Sequence, residues 1–285
     1  MKKTTEPATH ILEAGLPEAN QRPKIAIASA SLRLVGDYAQ AVYEAGGEPV
    51  VVPRDAQGLP TLSRCDGLLL TGVGATDYDV PQQFYTDTPS DGHRWETDED
   101  KLTLDWCQWL REVCIWAERK RIPTIGAGLG AQLLYVTAGG HLLRHIDGHT
   151  NTNTSKPGGI IRLIEIEPGS WLTAAWAMAT ENEPVADEPM SDLPTEAEVI
   201  CSHHQAPDPA WLPDTVRVVA WTNDTMPDPA NEGELITVQV PHAWEMLGED
   251  NVPWGFGLQF EPQHDGDPEG WGNTLLRWFI RHQCQ

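Results

Sequence analysis

Residues Ile122–Leu134 read IPTIGAGLGAQLL, and this stretch decides the fold. An apolar run closes at Ile125, glycines occupy positions 126, 128 and 130, and a helical run begins near Leu129. A strand, a tight turn and a helix in that order make the local shape of a nucleophile elbow, which holds one side chain at the tip of a sharp bend. The residue at the tip is Gly128, which offers only a hydrogen atom.

Working outward, the same alternation of strand and helix continues on the N-terminal side. Lys24–Ala30, Glu48–Pro53 and Gly67–Thr71 read as strands, the last apolar up to its terminal Thr, as expected of a strand covered on both faces. Asp37–Ala45 reads as a short helix stopped by Gly46 and Gly47. Gly72–Asp100 is polar and acidic with Pro81 and Pro89, and predicts a long loop over one end of the sheet. Lys101–Arg121 repeats Leu102, Trp106, Trp109, Leu110, Val113 and Ala117 at helical spacing. Its last residues, Arg119, Lys120 and Arg121, favour the negative end of a helix dipole. Ile122–Ile125 is then the central strand and Leu129–Ala138 the helix after the bend. Such alternation implies a parallel sheet with helices on both faces.

After residue 160 the pattern changes. Ile160–Glu167 and Val216–Trp221 alternate, and Leu235–Val240 and Phe256–Phe260 are further short strands. These predict antiparallel strands added to the same sheet. Ala179–Glu198, acidic and proline-bearing, predicts a surface excursion, and Gly270–His282 a closing amphipathic helix. Residues 1–21 predict a loosely attached tail, and 22–285 a single domain.

Composition narrows the function classes. Forty-two acidic against 19 basic residues give a formal charge of −23, a field that repels nucleic acid and anionic membranes. The plain reading of that charge is solubility or adaptation to salt; a basic protein partner is the sharper one. The N-terminus has no apolar segment of the kind a secretory signal needs, and no long apolar run predicts a membrane span. Five cysteines, an odd number without a CxxC pair, point to a reducing cytoplasm rather than a disulfide framework. Cys107 and Cys114 share a helix face as core fillers, and most of the twelve tryptophans are expected in core or rim packing.

The chain resembles the gamma-glutamyl hydrolase (peptidase C26-like) branch of the class I glutamine amidotransferase-like superfamily. The branch carries an elbow of the form P-x-x-G-x-C-R-G-x-Q-L-x-N-V-x-x-G-G. Pro123, Gly126, Gly130, Gln132, Leu133, Val136, Gly139 and Gly140 stand at its matching places. Further matches are Arg22–Ile27, Asp37 with Tyr38, Ala45–Val50, Asp66–Gly72 and Glu167–Leu172. Ser202–Ala206 also resembles the branch's S-x-H-H-Q-A segment, offset by one. The resemblance implies an α/β, flavodoxin-like three-layer sandwich with a mostly parallel central sheet and added antiparallel strands.

In such proteins a Cys–His–Glu triad hydrolyses a gamma-glutamyl amide, with backbone amides holding the oxyanion. On the resemblance, the triad positions are occupied here by Gly128, Glu261 and Gln263, and the elbow Arg position by Leu129. The oxyanion loop reads Gly72, Val73, Gly74, Ala75, and Val73 restricts its backbone. A protein without thiol chemistry is expected, binding a small amino-acid or gamma-glutamyl-type ligand or a partner enzyme. A homodimer is also compatible; nucleic acid and membrane are not expected as partners. Gly74, Leu129, Gln132, His203, His204 and Gln205 are the candidate ligand contacts, and Gln259 is a third glutamine kept at a family position.

The alternative is redirected acid–base or metal-assisted chemistry on an amino-acid-derived substrate, with Glu261 and His204 as acid and base. No cofactor is expected, but two histidine sets stay open as divalent-metal candidates. His141, His145 and His149, spaced by four, would share a face only on a helix, which the neighbouring glycines argue against. His203, His204, Glu261 and His264, with Asp265 nearby, form the other set. Cys201 beside His203 and His204 reads either as a relocated Cys–His pair or, preferably, as a buried thiol next to structural histidines.

Overall fold

Apolar runs of four or five residues, buried on both faces, build the parallel half of one sheet. The structure is a computed structural model. It describes residues 22–29, 32–54, 58–71, 98–143, 146, 148–149, 160–179, 195–201, 203, 205–227, 231, 233–260, 262 and 271–284. In chain order the strands are β1 (Lys24–Ala28), β2 (Glu48–Val51), β3 (Gly67–Leu70), β4 (Thr124–Ala127), β5 (Leu142–Leu143) and β6 (Ile160–Ile166). They continue as β7 (Glu196–Cys201), β8 (Ala206–Pro207), β9 (Val216–Pro227), β10 (Leu235–Leu247) and β11 (Pro253–Leu258). The helices are α1 (Leu32–Glu44), α2 (Gly58–Leu62), α3 (Asp98–Lys120), α4 (Leu129–Thr137), α5 (Trp171–Ala179) and α6 (Trp271–Gln283).

Among the described residues the main sheet runs β2-β1-β3-β4-β11-β10-β9-β6-β7, and β5 pairs with β8 apart from it. Pairing is parallel from β2 through β11 and antiparallel from β11 to β7. Alternate residues of each strand serve opposite faces. Ile25, Ile27, Leu69, Ile125 and Phe256 join Leu172, Leu275, Leu276 and Phe279 in the layer beneath α1, α5 and α6. Ala26, Ala28, Leu68 and Leu70 join Leu110, Val113, Leu133, Leu134 and Trp244 beneath α3 and α4. Cys107 and Cys114 are core fillers in this second layer. Trp106 is only partly buried, and Arg54 caps its ring at 4.6 Å. This is the three-layer α/β arrangement that the sequence predicts. No described helix is long and apolar enough to cross a membrane.

Several boundaries differ. The sequence predicts the central strand at Ile122–Ile125, but β4 extends through Gly126 and Ala127, which pair with Gly257 and Leu258. Gly126 looks like a turn residue, yet it is extended because the helix after the bend packs against it. A Cβ there would meet the Ala131 Cα at 2.8 Å. β9 and β10 run well past the predicted Trp221 and Val240 and form a long two-stranded arm. Glu196–Glu198, read as part of a surface excursion, belong to β7, and α5 stands where no helix was expected. The predicted loop Gly72–Asp100 ends in α3, whose first residue is Asp98. Residues 72–97, 180–194 and the predicted tail 1–21 lie outside the described residues.

Candidate functional site

The bend after β4 has the geometry of an elbow and a bare tip. Gly128 adopts φ 53°, ψ −122°, in the left-handed half of the map where a side chain is strained. Its carbonyl accepts from the Ala131 and Gln132 amides, at 3.0 and 3.2 Å, to start α4. Its own N–H donates to the Leu258 carbonyl at the end of β11 (2.8 Å). The glycine on the far side of the tip brings α4 hard against β3, since a Cβ on Gly130 would overlap the Leu70 carbonyl. The elbow therefore sits at the carboxyl ends of β3, β4 and β11, the edge where open parallel sheets place their sites.

The antiparallel strands bring a second group of side chains to the same edge. His149, Cys201, His203 and His242 each present one metal-ligating atom, all within 4.8 Å of one another. Cys201 closes β7 and His203 follows it. His242 lies in β10 where the register with β9 slips between Pro241 and Ala243, so it is the extra residue of a β-bulge. Bulges re-aim a side chain, and this one turns an imidazole into the group. The His149 and His242 rings stack at 5.1 Å between centroids, and His203 lies 5.0 Å from the first and 5.4 Å from the second. The Cys201 Sγ is 3.8 Å from the His242 Nδ1.

Two of these imidazoles are oriented by acceptors outside the group. The His149 Nε2 is 3.0 Å from an Asp224 carboxylate oxygen, which accepts its proton and leaves the Nδ1 with a lone pair. That Nδ1 is buried and has no hydrogen-bond partner among the described residues, and the same holds for the His242 Nε2. Both residues are fully buried, at 0% exposure. The His203 Nδ1 donates to the Gln205 carbonyl at 2.9 Å, so its Nε2 carries the lone pair. That Nε2 is buried although the residue as a whole is only partly so.

Charge is balanced next to the group rather than within it. Asp224 also receives Thr222 and Arg162. Burial alone would raise its carboxyl, but the His149 and Thr222 hydrogen bonds and the Arg162 charge hold it below the usual carboxylate value. Burial, with the His203, His149 and Arg162 charges, keeps His242 well below the ordinary imidazole value, so it is neutral. Burial pushes the Cys201 thiol up to about 12. A buried thiol of that kind is a poor nucleophile, which favours the buried-thiol reading over the relocated Cys–His pair.

The elbow and the cluster share two backbone groups. The peptide unit joining Leu258 and Gln259 accepts from the Gly128 N–H and donates to the His242 carbonyl (2.8 Å). The Gln205 carbonyl accepts from both His203 and the Gln132 amide of α4 (3.1 Å). Of the predicted ligand contacts, Gln132, His203 and Gln205 are thus brought together, and Leu129 sits at the start of α4. Gln259 is buried, and neither end of its carboxamide has a hydrogen-bond partner among the described residues. Gly74, His204, Glu261, Gln263 and His264 lie outside the described residues, as do His145 and Asp265.

The histidines spaced by four are not one site. His141 stacks on Trp211 at 4.8 Å, whereas His149 belongs to the cluster. His242 and Asp224 were missed because nothing local marks them: His242 stands alone among apolar residues and Asp224 within the polar run Thr222–Thr225, and only strand register brings them to His149. Elsewhere, a hollow of about 320 Å³ near Arg121, Pro123 and Asp250 opens at the amino ends of β4 and β11. It lies at the opposite end of the sheet from the elbow and holds only an exposed ion pair.

A family model described as peptidase C26 matches residues 16–232, which include the elbow and end before β10. Comparison with curated protein sequences gives no match. Among solved structures, the chain is similar to a candidate GMP synthase subunit from Thermoplasma acidophilum, with 17% identity and a TM-score of 0.55 over 91% of this chain and 93% of that one. It is also similar to the glutaminase domain of a CTPS from Trypanosoma brucei with bound acivicin (14%, TM-score 0.53, 90% and 92%). A glutamine amidotransferase from Thermotoga maritima is a third (12%, TM-score 0.53, 93% and 99%). At these identities the likeness is one of fold.

Proposed function

Because the chain belongs to the peptidase C26 family, with the fold of class I glutamine amidotransferases, we propose that it is a member without thiol chemistry. It keeps the family's cleft and binds a small amino-acid or gamma-glutamyl-type ligand there without hydrolysing it. The observation that carries this reading is Gly128: the bend retains its backbone geometry, yet the position that must supply a nucleophile has no side chain. Cys201, whose sulfur lies 3.8 Å from the His242 ring, is buried and stays protonated at neutral pH. Hydrolysis through a thiol needs sulfur at the tip and a base beside it.

Ligand binding draws support from the amide groups at this edge of the sheet. The Gln259 carboxamide, buried with donor and acceptor both free among the described residues, suits the paired polar groups of an amino-acid head. Redirected chemistry on an amino-acid-derived substrate would need Glu261 as its base, which lies outside the described residues.

The test pairs binding with turnover on a panel of gamma-glutamyl compounds, glutamine included. Calorimetry is expected to detect binding of at least one of them, while mass spectrometry detects no release of glutamate. Gly128→Cys is expected to add an alkylatable thiol without adding hydrolysis, since the family's His and Glu positions hold Glu261 and Gln263. Glutamate release by the unmodified protein that iodoacetamide abolishes would end the proposal.

A further inference from the structure

We infer that His149, Cys201, His203 and His242 form a binding site for one divalent transition-metal ion, zinc being the ion they suit best, beneath the wall of the elbow cleft. The chemistry of the set favours this over a merely polar interior. Three imidazoles and a thiol, converging from three separate parts of the chain, are an expensive way to fill a buried space. They are also the donors that a tetrahedral zinc site takes.

The orientation of the rings points the same way. Imidazole ligands of metals usually direct their second nitrogen at a carboxylate or a backbone carbonyl, which fixes the tautomer and aims the other lone pair at the metal. His149 does so through Asp224, and His203 through the Gln205 carbonyl. Among the described residues, His149 leaves a fully buried, unpartnered Nδ1, and His242 a fully buried, unpartnered Nε2.

The spacing fits a small ion. With ligand bonds of about 2.0–2.3 Å, neighbouring donor atoms in a tetrahedron stand about 3.6 Å apart. No pair among the four ligand atoms, one from each residue, stands more than 4.8 Å apart. On binding, the Cys201 thiol releases its proton to solvent and its sulfur forms the metal bond; the imidazoles bind as neutral ligands.

Four protein donors complete a zinc tetrahedron without an open position, so the site is structural and not a hydrolytic centre. Its effect reaches the elbow through the two shared backbone groups. The metal fixes His203, and with it the Gln205 carbonyl that holds Gln132 of α4. It also fixes His242, whose carbonyl is held by the Leu258–Gln259 peptide on which Gly128 hangs. The inference does not depend on the absence of hydrolysis, because a metal here is detected without any substrate.

The experiment uses the full chain, treated with a chelator and then titrated with Co(II) as a spectroscopic stand-in for zinc. One equivalent is expected to bind, giving the intense visible bands of a tetrahedral ion and a near-ultraviolet thiolate-to-cobalt band. Cys201→Ser should remove the thiolate band, whereas Cys65→Ser should retain it. Added zinc should displace cobalt and raise the melting temperature of the unmodified chain but not of the Cys201→Ser variant. His242→Ala should weaken binding at least tenfold; should that variant not fold, Cys201→Ser and the displacement by zinc still decide the matter. No saturable cobalt binding, or binding with a thiolate band that persists in Cys201→Ser, would overturn the site and leave an ordered water among the imidazoles as the account of their geometry.

Discussion

The elbow and the histidine–cysteine cluster lie at the same edge of one sheet and share a peptide unit, but they have kept different things. At the elbow the backbone is intact: Gly126 and Gly130 still let α4 press against β4 and β3, and Gly128 holds the φ of 53° that the bend requires. Its tip, Gly128, carries no side chain. At the cluster the backbone is ordinary strand, loop and bulge, while the side chains are rich in lone pairs and carry their own orienting partners. An elbow is specified by close approach of main chain to main chain, which glycine alone permits. Its geometry therefore does not depend on which side chain stands at the tip. A cluster of donors has no such local support and exists only as long as its residues do.

The largest expected effect separates the two regions by what holds them. Gly130→Ala forces a Cβ into the Leu70 carbonyl, which belongs to a buried strand and cannot swing away. A loss of about 3 kcal/mol in stability is expected from urea unfolding. A loss near zero would show that α4 is not pinned to β3, and the account of a retained elbow would fail.

A smaller effect is expected at the cluster's edge. Asp224→Asn keeps the shape but removes the charge that faces His149 and Arg162. About 2 kcal/mol of stability should be lost, and metal affinity should fall by about 10–100-fold. Asp250→Asn, whose contacts with Arg121 and the Val252 N–H are both exposed, is the control and should leave the unfolding midpoint where it was. Equal effects at the two positions would mean that Asp224 does not organise the cluster.

The smallest effect is a difference in rate. Cys65 is partly exposed, with burial and then Asp66 raising its thiol, whereas burial pushes Cys107, Cys114 and Cys201 up to about 12. Alkylation of the folded chain followed by peptide mapping should find Cys65 modified first, and the buried Cys107, Cys114, Cys201 and Cys284 only on unfolding. Early modification of Cys201 would place an accessible thiol beside a histidine and blur the contrast between a silent elbow and a buried cluster.

Much of the parallel half was legible because its signals are local. Buried strands such as Gly67–Leu70 are short apolar runs, helix α3 repeats at its own period, and glycines mark the bend. The antiparallel half was read only in outline. β9 and β10 carry polar residues on one face over much of their length, so Asn223–Pro227 and Pro241–Leu247 do not look like strand until each is paired with the other. Gln132, His203 and Gln205 were found through motif positions, and the structure joins them at one carbonyl.

The order of residues alone determined the α/β layering, the bend at Gly126–Gly130 and the absence of a sulfur at its tip, because each depends on neighbours within a few positions. Tertiary structure decided that His149, Cys201, His203 and His242 meet. Strand register and one bulge set that meeting, and both follow from pairing between segments separated by tens of residues. No local pattern encodes such a pairing, because its energy comes from the whole sheet closing at once.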